Sequence, residues 1–258
     1  IDIREVTNIN PYLVPTNDVI VFRSKTPISE LPELIRGNMP YDGGNLLLSK
    51  TELKMLGLTS KQEKKFIRKI YGSSEFIKGQ VRYCLWIKDK DLDEALLIPK
   101  IALRIEGVKK MRLASKDLGA NKLALRAHQM REMRSSKNYS IVLPRITGEN
   151  RDFLPVGLLK NIDISTSQNF LLMDEPIYLI AIISSKLHCV WISTVCTSLG
   201  TSYSYTANVG WNAFPIPVLT LQNKEDLKIC AENILLAREK HFPKTIAELY
   251  KTEDMPDD

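Results

Sequence analysis

The sequence has no C-x-x-C pair, no G-x-G-x-x-G loop and no uncharged apolar run of membrane length, and each absence removes a class of protein. Its four cysteines, Cys84, Cys189, Cys196 and Cys230, have no regular spacing. That is the pattern of reduced, mostly buried thiols in a cytoplasmic protein, with no disulfide framework and no zinc site. Only three histidines occur, His128, His188 and His241, and none has a partner at metal-ligand spacing. No serine stands in a nucleophile elbow, so no catalytic or metal-binding residue is assigned. The most apolar stretch, Pro176 to Cys196, carries Lys186 and His188 in its middle. In a bilayer the lysine alone would cost roughly 2.5 kcal/mol or more, so this stretch reads as a buried helix and no membrane partner is expected. Ile1 to Asn10 shows no secretory h-region or cleavage site.

What is present is an ordinary globular composition, 258 residues with 44% hydrophobic and 26% charged, enough for one large domain or two smaller ones. The net charge of +6 is concentrated in one place. From Lys109 to Lys137 there are nine lysines and arginines against Asp117 and Glu132, a local +7 that leaves the remainder at −1. Such a segment suits a polyanionic partner. Residues 218–258 hold nine acids against six bases and face away from any polyanion.

Ser49-Lys-Thr-Glu52 and Ser60-Lys-Gln-Glu63 both have capping-box form, predicting two helices separated near Gly57. The second is expected to bury Phe66, Ile67 and Ile70, to show Lys61, Lys64, Lys65, Arg68 and Lys69, and to stop before Gly72. Ile98, Ile101, Ile105 and Val108 recur at spacings of three and four, marking a helix that starts at Pro99. Tyr139 to Ile146, Phe153 to Leu159, Asn161 to Ser165 and Phe170 to Met173 read as strands. The two prolines of Trp211-Asn-Ala-Phe-Pro-Ile-Pro217 exclude helix interior and central strand. Leu227, Cys230, Ile234 and Ala237 define a further amphipathic helix, with a domain boundary near Val218. The fold class expected is α/β or mixed α+β: a twisted mixed sheet or partial barrel flanked by helices, with a short C-terminal helical segment.

Three near misses to catalytic motifs are set aside. Asn10-Pro11-Tyr12 is one proline short of the N-P-P-Y loop that stacks a flipped adenine. Glu63-Lys64-Lys65 matches half of a nuclease site but lies in a helical pattern without an upstream acid. Asp42-Gly43-Gly44 reads as a tight turn. His188 and Trp191 fall one helical turn apart and, with Trp211 and Phe214, read as core.

Six ordered blocks carry a resemblance. They are Gly37 to Ser49 (GNMPYDGGNLLLS), Gly72 to Ile77, Arg82 to Ile87, Pro144 to Gly157 (PRITGENRDFLPVG), Ser184 to Trp191 (SSKLHCVW) and Tyr203 to Pro217 (YSYTANVGWNAFPIP). Together they resemble the target-recognition domain of MmeI-like type IIL (type IIG) restriction-modification enzymes, and Ala247 to Tyr250 with Met255-Pro256 resembles the start of that family's C-terminal helical region. The resemblance implies residues 1–217 as a DNA target-recognition domain and 218–258 as the start of the helical one. It further implies a bacterial parent chain in which absent domains perform adenine-N6 methylation and cleavage with S-adenosylmethionine and Mg, no cofactor being held by this fragment. The implied partners are double-stranded DNA and the parent's methyltransferase domain. Where the family has G-R-L and then a charged residue, this chain has Thr197-Ser198-Leu199 followed by Gly200-Thr201-Ser202.

On that reading the base-reading candidates are Arg145, Glu149 and Arg151, since arginine can bond guanine and a carboxylate can accept from cytosine. The hydroxyls of Thr197, Ser198, Thr201, Ser202 and Ser204 join them. An Arg–Glu structural network is the alternative for the first three, and a surface turn for the hydroxyls. Phosphate candidates are Lys109, Lys110, Arg112, Ser115, Lys116, Lys122 and Arg126, with a solvated basic face as the alternative. Two other functions stay open here: a basic scaffold that docks an acidic protein, and a fragment with an irregular catalytic site of its own.

Overall fold

The computed structural model describes residues 5–149, 151–253 and 255–256 and has the expected mixed α/β character, its strands divided among three small open sheets. The first half of the chain holds β1 (Ile35–Arg36), β2 (Leu47–Leu48), α1 (Lys50–Leu56), α2 (Ser60–Phe66), β3 (Ile67–Tyr71), α3 (Ser73–Ile77), β4 (Arg82–Leu85), α4 (Leu92–Leu96), α5 (Pro99–Leu113) and α6 (Leu118–Leu123). The second half holds β5 (Tyr139–Pro144), β6 (Ile146–Gly148), β7 (Gly157–Lys160), β8 (Ile164–Ser165), β9 (Asn169–Met173), α7 (Leu179–Ser184), α8 (Lys186–Val195), β10 (Thr197–Ser198), β11 (Ser202–Ser204), α9 (Leu221–Lys240) and α10 (Ile246–Leu249). None of these helices is long and apolar enough to cross a membrane.

The sheet β2-β4-β3-β8 backs one core, into which α5 sends Ile101, Ile105 and Val108 as its spacing predicts. At the start of α1, Ser49 Oγ accepts from Glu52 N–H at 3.2 Å and Ser49 N–H donates to the Glu52 carboxylate at 2.8 Å; Gly57, at φ 65°, closes the helix. The next capping box falls one residue earlier than expected, on Thr59 and Gln62. The helix it opens ends at Phe66, not before Gly72. Residues 67–71 become β3 because β4 takes their backbone groups, from Ile67 opposite Leu85 to Ile70 opposite Arg82, while Phe66, Ile67 and Ile70 keep the burial expected of them.

A second, fully antiparallel sheet runs β1-β9-β5-β7. Side chains alternate across its strands. Ile141, Leu143, Phe170 and Leu172 therefore enter a core shared with α7, α8 and Trp211, while Val142 and Leu171 meet Phe76 and Ile77 of α3 on the other face. Two expected strands are shorter here, β7 beginning only at Gly157 and β8 comprising only Ile164–Ser165, because the residues before them find no ladder partner. The apolar stretch from Pro176 is two helices, not one. Ser185 sits between them in extended conformation, φ −66° and ψ 146°, and its hydroxyl accepts from His188 N–H to cap α8. Along α9 the inward face is Leu227, Ala231 and Leu235, rotated from the expected one, which leaves Cys230 exposed.

Gly37 lies where β1 passes the loop after β8. A Cβ there would stand 2.3 Å from the Thr166 carbonyl oxygen and 2.7 Å from that of Ser165. Backbone cannot swing aside as a side-chain end can, so Gly37→Ala is expected to lower stability by about 2 kcal/mol or more. Urea unfolding with an unchanged midpoint would contradict this packing.

Candidate nucleic-acid interface

Two blocks of candidate residues some fifty positions apart in the chain are joined in the third sheet, β10-β11-β6. Thr197 faces Ser204 and Ser198 faces Tyr203; on the other side Ser202, Tyr203 and Ser204 face Gly148, Thr147 and Ile146. Cross-strand partners share a face. Thr147 is buried and Tyr203 packs on the core around Trp211, which makes theirs the inner row. The outer row shows the hydroxyls of Thr197, Ser202 and Ser204 around Ile146, itself 47% exposed. Ser198, at the sheet edge, is exposed as well.

The tip of the β10–β11 hairpin is closed by Leu199 and Ser202, whose N–H groups donate to each other's carbonyls at 2.7 and 3.2 Å, with Gly200 at φ 59°. Thr201 is exposed at this tip, and its carbonyl accepts from Glu149 N–H at 3.1 Å. Glu149, exposed and without an ion pair among the described residues, is thereby tied to the hydroxyl group of candidates. A Cβ at Gly148 or at Gly200 would meet nothing within 4 Å, so this surface is open.

Arg145 and Arg151 are placed differently. Arg145 turns at the corner between β5 and β6, where its guanidinium lies 5.7 Å from the centre of the Phe170 ring and donates to Ser167 O at 3.3 Å. Burial, and then Arg36 beside it, push its pKa down. Arg36 of β1 is the residue that sequence reasoning missed; it is over a hundred positions away, and only the β1-β9-β5 order brings it near. Arg151 is half-buried, with Nη1 enclosed and unpartnered, and burial lowers its pKa too. No Arg–Glu network forms among the described residues of this group.

The basic segment belongs to the other core. Lys109, Lys110, Lys116 and Lys122 are exposed and have no ion pair among the described residues. Ser115 is half-buried and bonds Tyr41 Oη at 3.1 Å. Arg126 spends its guanidinium on Gln129 Oε1 at 3.4 Å and Arg131 O at 2.5 Å. Arg112 must be withdrawn as a phosphate contact: it is fully buried, and all its donors end on backbone carbonyls. Of the basic face at 61–69, Lys65 is paired with Asp91 at 3.0 Å and Glu94 at 2.5 Å.

Of the near-miss motifs, Glu63-Lys64-Lys65 lies within helix α2 and the other two are structural turns. Asn10 Oδ1 accepts from Tyr12 and Val14 N–H at 3.0 and 3.1 Å. The Asp42 carboxylate accepts from the N–H groups of Gly44, Leu46 and Leu47. His128 bonds Asp89 at 2.9 Å, and His188 is buried with its ring centre 4.4 Å from that of Phe214 and 6.0 Å from that of Trp211. No group of three or more metal-ligating residues occurs among the described residues.

One buried core thus carries an open polar sheet and another a row of lysines without an ion pair among the described residues. The family model described as MmeI, target recognition domain, matches residues 15–218. DNA methyltransferase A of Bacillus subtilis (strain 168) is 38% identical over 251 residues, which cover 97% of this chain and 28% of that protein. The solved structure of the type IIL restriction-modification enzyme MmeI in complex with DNA matches with a TM-score of 0.91 and 29% identity, over 97% of this chain and 34% of that one. The chain belongs to the MmeI target recognition domain family. It spans about a third or less of the length of these relatives.

Proposed function

We propose that this chain reads the sequence of double-stranded DNA for a bacterial restriction-modification enzyme, whose other segments methylate adenine at N6 and cleave. The observation that carries this reading is the convergence of Glu149 with Thr197, Ser198, Thr201, Ser202 and Ser204 on one small open sheet. A carboxylate accepts from cytosine N4, and short hydroxyls donate to or accept from base edges in the major groove. The exposed lysines 109, 110, 116 and 122 hold phosphates on the same duplex, and such contacts position a protein without carrying sequence information.

Residues 1–217 form the recognition domain in this reading and 218–258 open a helical region; the family match ending at 218 and the start of α9 at Leu221 support the division. The methyltransferase segment of the same parent chain is the second partner, and the enzyme acts in the cytoplasm. S-adenosylmethionine, and Mg for cleavage, belong to segments beyond these residues. The glycine pair does not fit a nucleotide, because Asp42 spends its carboxylate on its own turn and a Cβ on Gly43 would already stand 3.2 Å from Met111.

Selection of bound duplexes from a random pool, by this chain and by its Glu149→Ala variant, tests the reading. The parent chain is expected to enrich one short sequence, and the variant to relax preference at one position by about 1–3 kcal/mol. The same sequence enriched equally by both would remove Glu149 from the reader, and retention of no duplex at low salt would overturn the function. Lys116→Ala is expected to leave the enriched sequence alone while lowering the slope of log K against log salt by about 0.9. A slope equal to the parent's would remove Lys116 from the phosphate set.

A further inference from the structure

A cleft of about 230 Å³ opens beside the reading sheet, lined by Arg36, Arg145, Phe170, Tyr205, Thr206 and Asn208 among others. Its walls follow from the strand order. Arg36 pairs with Phe170 across β1–β9, and Phe170 with Leu143 across β9–β5, so Arg36 and the β5 end that leads to Arg145 lie at the same end of the sheet. Two strand spacings separate them, roughly 10 Å at the backbone, a span that two arginine side chains can close from opposite sides.

Both guanidiniums lack an ion-pair partner among the described residues. Converging like charges repel, and among the described residues no carboxylate lines the cleft. Arg145 is also fixed in direction, by the Phe170 ring beneath it and by Ser167 O, while its Nε is enclosed without an acceptor. An anion between the two arginines would accept from the guanidinium groups that line the cleft and remove the repulsion. Two planar donor forks suit the oxygens of a phosphate.

We propose that this cleft holds a backbone phosphate of the DNA whose bases the adjoining sheet reads, with Arg145 and Arg36 as its two donors; the inference rests on the DNA-reading function proposed above. Location argues for this source of phosphate. Arg145 immediately precedes β6, and Tyr205 and Thr206 immediately follow β11, so the cleft is bounded by the ends of two reading strands. A phosphate gripped there fixes the register of the duplex over the hydroxyl face. Arg145 then sets position, and the reading of bases is left to the sheet.

The test uses Arg36→Gln, because Arg36 is exposed and its substitution is expected to leave the fold intact. Binding of the parent chain and of the variant to a random duplex and to the enriched sequence is measured across a salt series. In parallel, the arginine Nε–H resonances are followed by NMR as inorganic phosphate replaces chloride at fixed ionic strength. The expected result is a salt slope lowered by about 0.9, equal weakening on both duplexes, and a phosphate-dependent shift of the Arg145 resonance that the variant lacks. Duplex binding with an unchanged slope overturns the phosphate site and leaves the DNA-reading function standing. No duplex binding with a phosphate-dependent Arg145 shift keeps a phosphate pocket but overturns DNA as its source, and with it the proposed function. Neither signal overturns both.

Discussion

Arg112→Ala is expected to lower the unfolding free energy by about 4 kcal/mol, the largest single loss from any residue in the basic segment. Arg112 Nε donates to Tyr41 O at 3.0 Å, Nη1 to Leu123 O at 2.8 Å and Arg126 O at 3.1 Å, and Nη2 to Pro40 O at 3.2 Å and Gln129 O at 2.7 Å. The charge is fully buried, and burial pushes its pKa down, yet every N–H has an acceptor. Removing the side chain takes a donor from five carbonyls, of which Arg126 O keeps Gln129 N–H at 3.0 Å, and leaves a cavity where a fully buried side chain stood. Arg112→Lys is expected to recover little, since an ammonium has three donors and no planar fork. Lys116→Ala, a few residues along, is expected to be neutral in stability. Urea midpoints for the three variants decide the matter, and a loss below about 1 kcal/mol for Arg112→Ala would show that other groups satisfy those carbonyls.

The second large effect is a pH dependence carried by His188. Burial pulls its pKa from the ordinary 6.5 down to about 3. Its Nε2 stands 3.0 Å from Tyr205 Oη, and Tyr205, itself fully enclosed, holds its hydroxyl proton to well above the usual range. The folded chain therefore keeps this imidazole neutral while the unfolded chain protonates it as pH falls below 6.5. With a folded pKa below the unfolded one, stability is lost on acidification, by at most about 1.4 kcal/mol per pH unit down to pH 3. Between pH 7 and pH 5 the loss from this residue is about 2 kcal/mol. His188→Gln is expected to be less stable at pH 7 but to lose less between pH 7 and pH 5. Parallel acid sensitivities in the two proteins would mean that the imidazole takes up its proton in the fold.

Local signals were read from the sequence where the chemistry is local. The Ser49 box, the Gly57 stop, the Pro99 start and the alternation of β5 all depend on neighbours within a few residues. The end of α2 does not: Phe66, Ile67 and Ile70 suit one helix face as well as they suit β3, and only pairing with β4 decides between them. The break at Ser185 needed the competing weight of a serine cap inside an apolar run. Arg112 carries a local signal as well, since it continues the buried series Ile101, Ile105, Val108 at the same spacing. In the candidate site, the residue types were legible within each block, but their meeting depends on the pairing of β6 with β11. Arg36 carried no signal at all, because nothing around it distinguishes a cleft residue from a solvated one.

The outer row of the β10-β11-β6 sheet bears on how this protein can change. Its hydroxyls touch solvent and not the core, while the inner row, with Thr147 and Tyr203, anchors the strands. Exchanges at Thr197, Ser202 and Ser204 should therefore shift folding stability by no more than about 0.5 kcal/mol either way. The open space over Gly148 and Gly200 leaves room for longer side chains on neighbouring strands. Mutational drift on this face is thus close to thermodynamically neutral, and a lineage can exchange its side chains without crossing an unfolded intermediate.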